Sequence, residues 1–124
     1  MNHPVHFEIH GSDPEALVKF YGDVFGWGFT NYMPGEYWLI DTKGGLNGGI
    51  VKRRGPAPAA DAPVGAFVCS LGVESVDAML KKALDHGATV ALPKMAIPGV
   101  GWQVYIKDLD GNILGLHQMD PSAK

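Results

Sequence analysis

One cysteine, Cys69, among 124 residues excludes an intrachain disulfide framework. Its place in an apolar run predicts a reduced, buried small side chain. Basic residues are scarce too: 10 lysines and arginines against 13 acidic residues give a net charge of -3 and a pI near 5.9. No basic face is left to neutralise phosphates, so nucleic acid is excluded as a partner, and the short run Lys52-Arg53-Arg54 reads as a solvated strand end. No stretch approaches the ~20 apolar residues of a membrane span. Met1-Asn2-His3-Pro4 lacks the basic and apolar regions of a secretory signal, which predicts a cytoplasmic protein without a membrane partner. Disorder is also excluded, because 46% apolar and 19% charged residues suit a chain that buries one core.

What is present is patterned. From Val5 to His10, apolar Val5, Phe7 and Ile9 alternate with His6, Glu8 and His10, the period of a half-buried strand. Asp13 followed by Pro14 reads as an N-cap with proline at the first helical position, and Leu17, Phe20, Tyr21, Val24 and Phe25 recur at helical spacing until Gly26. Residues 27–32, 36–42 and 46–52 follow as strands, separated by glycine-bearing turns. Residues 54–65 are proline- and alanine-rich without a period and read as an extended connector. The same order then returns: a strand over 66–73, Ser75 as N-cap, a helix marked by Val76, Met79, Leu80, Ala83 and Leu84 and ended by Gly87, a strand over 89–93, a loop over 94–100, and two strands flanking Asp108-Leu109-Asp110-Gly111-Asn112.

Strand, helix, strand, strand, strand therefore occurs twice, with module one at about 4–53 and module two at about 66–118 of a single domain. A four-stranded sheet with one helix covers only one face, so two such units predict an α+β fold of two βαβββ modules forming a cup-shaped mixed sheet with the helices outside. Val5, Phe7 and Ile9, with Phe67, Cys69 and Leu71, are expected to face the helices. His6, Glu8, His10, Val68 and Ser70 are expected on the opposite faces, lining a concave cavity for a small molecule, with Asn47, Tyr105 and His117 completing the candidate lining. Glu8 would be costly to bury unpaired and predicts solvent, a ligand or a nearby histidine as neighbour; Glu8 and His6 are the candidate catalytic pair. Trp38, Trp102, Tyr37 and Tyr105 are read as packing rather than stacking residues. The Asp108 turn has its glycine in the fourth place and no closing glutamate, which excludes a calcium loop, and Gly44–Gly49 precedes no helix that could hold a phosphate.

His6-Phe7-Glu8-Ile9 with Asp13 and Phe20-Tyr21, then Val24-Phe25-Gly26-Trp27, Leu46-Asn47-Gly48-Gly49-Ile50, Pro93-Lys94-Met95, Pro98-Gly99-Val100-Gly101-Trp102, the Asp108 turn and Gly115-Leu116 together resemble the vicinal oxygen chelate superfamily of glyoxalase I, bleomycin-resistance proteins and extradiol dioxygenases. The resemblance implies paired βαβββ modules, frequent homodimers and, in metal-dependent members, a ligand on the first and last strand of each module. Carried over by position, those ligands fall on His6, at or beside Gly49, on Val68 (or Phe67 with a one-residue slip) and on Gly115, and only His6 can bind a metal. About three protein ligands are needed, so the resemblance implies a glyoxalase- or bleomycin-resistance-like protein that binds a small molecule without a cofactor. The alternative is a metal-dependent lyase, isomerase or dioxygenase with a divalent metal in a rearranged site using His6, Glu8 and His117.

Overall fold

A computed structural model describes residues 2–124. The chain divides into two compact units, Met1–Pro58 and Ala59–Lys124. Each unit carries one βαβββ module.

Module one comprises β1 (Phe7–Gly11), α1 (Pro14–Phe25), β2 (Gly28–Met33), β3 (Tyr37–Asp41) and β4 (Gly48–Lys52). The helix starts where the sequence places it: an Asp13 carboxylate oxygen accepts from the Ala16 N–H at 3.3 Å, and Pro14 loses no helical hydrogen bond at the first position. Gly26, at φ 74°, ends it in the left-handed conformation. Leu17, Phe20, Tyr21 and Val24 form the buried stripe of α1, with Ile40 and Ile50 from the sheet in the same core. Each such side chain contributes roughly 1.5–3 kcal/mol when removed from water. The strand order is β1-β4-β3-β2, with β1 and β4 parallel and the other pairs antiparallel.

Module two repeats this plan with β5 (Ser70–Gly72), α2 (Val76–Asp85), β6 (Thr89–Ile97), β7 (Gly101–Lys107) and β8 (Ile113–Met119), in the order β5-β8-β7-β6. Ser75 caps α2 through Ala78 N–H, and Gln118 Oε1 accepts from Val76 N–H at 3.0 Å, so a strand side chain also holds the helix start. Val76, Ala83, Val104, Ile106, Leu114 and Leu116 are buried between helix and sheet.

Several boundaries differ from the sequence reading, and register explains them. β4 begins at Gly48, which pairs with Phe7, so no partner strand reaches Val5, and that side chain is 73% exposed rather than in the core. β5 pairs with β8 only over Ser70–Gly72, so the expected strand over 66–73 shrinks to three residues. Phe67, at 92% exposure, and Cys69 lie outside the helix-facing layer and are exposed. β6 runs to Ile97, through Pro93 and beyond the expected end; proline is tolerated because β6 is an edge strand and its register slips between Leu92 and Met95. Part of the expected connector is tied down: Lys107 is nearly buried, and its Nζ donates to Ala60 O at 2.7 Å.

Candidate functional site

On β1, alternation places Glu8 and His10 away from α1, with His6 immediately before the strand, and on β3 it places Tyr37 on the face of Glu8 and His10. The Tyr37 hydroxyl donates to Glu8 Oε2 at 3.1 Å. Its lone pair then receives the Nε2–H of His6 at 2.8 Å. Glu8 Oε1 lies 3.6 Å from His10 Nε2, an ion pair whenever His10 is protonated; both side chains are more than two-fifths exposed, so water screens it. The order along the face is therefore histidine, tyrosine, glutamate, histidine. Tyr32 packs edge-on against Tyr37 with ring centroids 6.3 Å apart. The neighbouring cations are committed elsewhere, Lys52 Nζ to Ser12 O and Arg53 Nη2 to His10 O, each at 2.8 Å.

Burial, then the hydrogen bond to Glu8 and its charge, pushes the Tyr37 hydroxyl above the usual tyrosine value of 10.0. A raised folded-state pKa means that this contribution to stability is fully present below pH 10 and is lost as pH rises through the folded value. Tyr37→Phe is therefore expected to flatten the alkaline fall in melting temperature above pH 10. An unchanged alkaline limb in that variant would contradict the Tyr37–Glu8 coupling.

Tyr37 can reach this position because Gly49 has no side chain. A Cβ on Gly49 would fall on the Tyr37 ring and hydroxyl oxygen. Module two repeats the device: a Cβ on Gly115 would fall on Ser70 Oγ and Gln103 Nε2. The registers match, since Glu8 and Leu39 flank Gly49 while Ser70 and Tyr105 flank Gly115, and Tyr37 and Gln103 each stand two residues before the flanking β3 or β7 residue. Gln103 Nε2 donates to Ser70 Oγ at 2.9 Å, and Gln103 Oε1 accepts from His117 Nδ1–H at 2.9 Å.

Of the residues singled out from sequence, His6, Glu8 and His10 come together on module one, and Ser70 and His117 on module two through Gln103. Asn47 is turned into its own loop, where Oδ1 accepts from the Thr42 N–H at 2.9 Å. Val68 is half-buried ahead of β5, and Tyr105 is half-buried on β7 opposite Leu92. Tyr37 and Gln103 were missed as functional residues. The available signal was a glycine inside each last strand, which marks a close approach by a neighbour.

The four positions at which the sequence resemblance puts metal ligands do not fit a metal. Gly49 and Gly115 offer no donor atom, the space for one is filled by Tyr37 or by Ser70 and Gln103, and Val68 is hydrocarbon. Among the described residues, no three His, Cys, Asp or Glu side chains gather as a metal ion would require. Nor is any helix there long and apolar enough to cross a membrane.

A family model for the Glyoxalase/Bleomycin resistance protein/Dioxygenase superfamily matches residues 3–116. The chain belongs to this superfamily. Among its curated relatives, "Putative glyoxylase CFP32" of Mycobacterium bovis is 32% identical over 115 residues, which cover 90% of this chain and 43% of the relative. The chain thus spans less than half the length of the curated relatives it matches. Solved superfamily structures show the same fold: a glyoxalase-related enzyme from Fulvimarina pelagi has a TM-score of 0.75 at 19% identity, covering 100% of this chain and 98% of that one. The fosfomycin resistance protein FosX from Listeria monocytogenes has a TM-score of 0.75 at 16% identity, covering 97% and 95%. A mutant FosX, complexed with Mn(II) and 1S,2S-dihydroxypropylphosphonic acid, has a TM-score of 0.73 at 17% identity, covering 94% and 90%.

Proposed function

We propose that the protein is a small-molecule-binding member of the superfamily that holds its ligand without the usual metal, on the sheet face that carries His6, Glu8 and His10. The hydrogen-bonded run His6–Tyr37–Glu8 over Gly49 carries this reading, because it fills a metal-ligand position with an organic hydrogen-bonding group. If the bound molecule is turned over, Glu8 is the group placed to take a proton and His6, joined to it through the Tyr37 hydroxyl, the group placed to return one. Both remain open to solvent, as groups that meet a ligand must. Within module two, Val68, Ser70, Tyr105 and His117 are proposed as ligand contacts in their own right, and in module one Asn47 as a support of the loop before β4. Homodimer formation and a cytoplasmic location belong to the same proposal.

A second reading, a metal-dependent lyase, isomerase or dioxygenase, draws on the likeness to FosX with Mn(II) and on the glyoxylase name of the curated relatives. It would need donors from other positions than Gly49, Val68 and Gly115. Elemental analysis of tag-free protein and of His6→Ala, after incubation with zinc, nickel, manganese and iron(II), separates the two. The metal-free reading expects well under one metal per chain in both proteins. Near one per chain, lost in His6→Ala, would replace it with the metal-dependent reading. A thermal-shift screen then seeks the ligand, since a molecule that binds only the folded chain raises its melting temperature.

A further inference from the structure

Module two carries a polar group of its own. Gln103 is 4% exposed, and its amide is occupied at both ends, by Ser70 and by His117. Gly115 is bare so that Ser70 and Gln103 can meet above it. The arrangement is therefore held by a buried amide and by the absence of a side chain at Gly115, not by a chance surface contact.

The direction of these bonds sets what is left over. With Gln103 Oε1 accepting from Nδ1–H, the His117 ring is fixed in the tautomer whose Nε2 is an acceptor. With Gln103 Nε2 donating to Ser70 Oγ, the Ser70 hydroxyl keeps its own proton to donate. Here the module differs from its counterpart: His6, Tyr37 and Glu8 can all exchange protons, whereas a carboxamide in the middle transmits none. The apolar surroundings come from β6, where Leu92 stands opposite Tyr105 and Met95 opposite Gln103, at 40% and 38% exposure. Lys107, the cation of β7, is bound to the Ala60 carbonyl.

We infer that the Ser70–Gln103–His117 group is a recognition site for an uncharged polar head, a primary carboxamide or an equivalent donor-acceptor pair, on an aromatic or aliphatic body. The ligand N–H donates to His117 Nε2, its carbonyl oxygen accepts from the Ser70 hydroxyl, and its body lies against Leu92 and Met95. Gln103 is the positioning residue that fixes both partners. A neutral head suits the site because a carboxylate would face the His117 lone pair and an ammonium would face the Ser70 proton. The inference rests on the proposed role of Ser70 and His117 as ligand contacts and deepens it, and it uses no residue of module one.

The test uses the full chain labelled with 15N. A long-range 1H–15N spectrum is expected to show His117 protonated at Nδ1 and bare at Nε2; the opposite tautomer would overturn the inference. Benzamide is then titrated, with benzoate and benzylamine as charged probes of the same size. Benzamide is expected to shift the His117 Nε2 resonance saturably and to bind at least fivefold more tightly than either charged probe. Ser70→Ala is expected to weaken it about tenfold, the effect of one lost hydrogen bond. Should Ser70→Ala fail to fold, His117→Phe, which keeps a ring and removes both nitrogens, is expected to give the same loss. Absence of a saturable shift at His117, equal binding of a charged probe, or undiminished binding in a folded variant would each refute it.

Discussion

Gly48→Ala is expected to lower the melting temperature by roughly 10 °C, corresponding to about 3 kcal/mol, and Gly49→Ala by less than half of that. The two glycines are adjacent in β4 and face opposite sides of the sheet. A Cβ on Gly48 would meet the carbonyl oxygen of Phe7, which is backbone in the neighbouring parallel strand, along with the Phe7 ring. Backbone cannot step aside without opening the β1–β4 ladder. A Cβ on Gly49 would meet the Tyr37 ring, which can swing toward solvent at the cost of its bonds to His6 and Glu8. Differential scanning calorimetry gives the stability difference. Titration of tyrosine absorbance checks its cause, since only Gly49→Ala should bring Tyr37 back toward the ordinary tyrosine pKa. Equal losses in the two variants, with Tyr37 unmoved, would mean that the tyrosine does not depend on the glycine beneath it.

Asp108→Ala is expected to cost about 2–3 kcal/mol in urea unfolding, with little change in the slope. Asp108 is 5% exposed and lies in the turn between β7 and β8. Its Oδ1 accepts from the backbone N–H groups of Asp110 and Asn112 at 2.8 and 3.0 Å, and its Oδ2 accepts from Asn112 Nδ2 at 2.9 Å. Removing the acceptor strands three donors in a partly buried turn, and hydrogen bonds to a charged group contribute about 1.5–3 kcal/mol each when intact. Water reaching the turn reduces the sum to the value expected here. Asp108→Asn retains one carbonyl oxygen as an acceptor, so it should recover part of the loss. A cost below about 0.5 kcal/mol for Asp108→Ala would show that the turn is held by Gly111, at φ 84°, and by the strand ladder alone.

The fold was legible because its signals are local. Asp13-Pro14 and Ser75 announce the helices by side chains that act within three residues, and the strand-helix-strand-strand-strand order follows from periods that need no partner. The errors arose where a partner decides. Val5 and Phe67 alternate as strand residues should, yet β4 and β8 do not extend far enough to pair with them, so alternation there describes a pattern without a sheet. The candidate site was half legible for the same reason. His6, Glu8 and His10 announce themselves as polar residues on one strand face. Tyr37 becomes part of the group only through the register that sets it over Gly49, and a tyrosine in a strand otherwise reads as packing. Gln103 was hidden more deeply, since an amide between Trp102 and Val104 has no distinguishing neighbour in sequence.

The parallel pairing of each module's first strand with its last has a consequence for synthesis and handling. A ribosome that has released β1 through β3 has made only edges, because the strand lying between β1 and β3 is the last of the module to emerge. Until then β1 has no neighbour, and Phe7 waits for Gly48. In module two the reverse hazard applies: a chain clipped between β5 and α2 would keep β5 only by its three-residue pairing, and its loss would leave β8, with Leu114 and Leu116 at its centre, as an edge able to recruit another strand. Proteolysis at the exposed Glu74 is therefore expected to give insoluble fragments rather than trimmed, folded ones, and protease inhibition during purification should improve recovery more than a change of buffer.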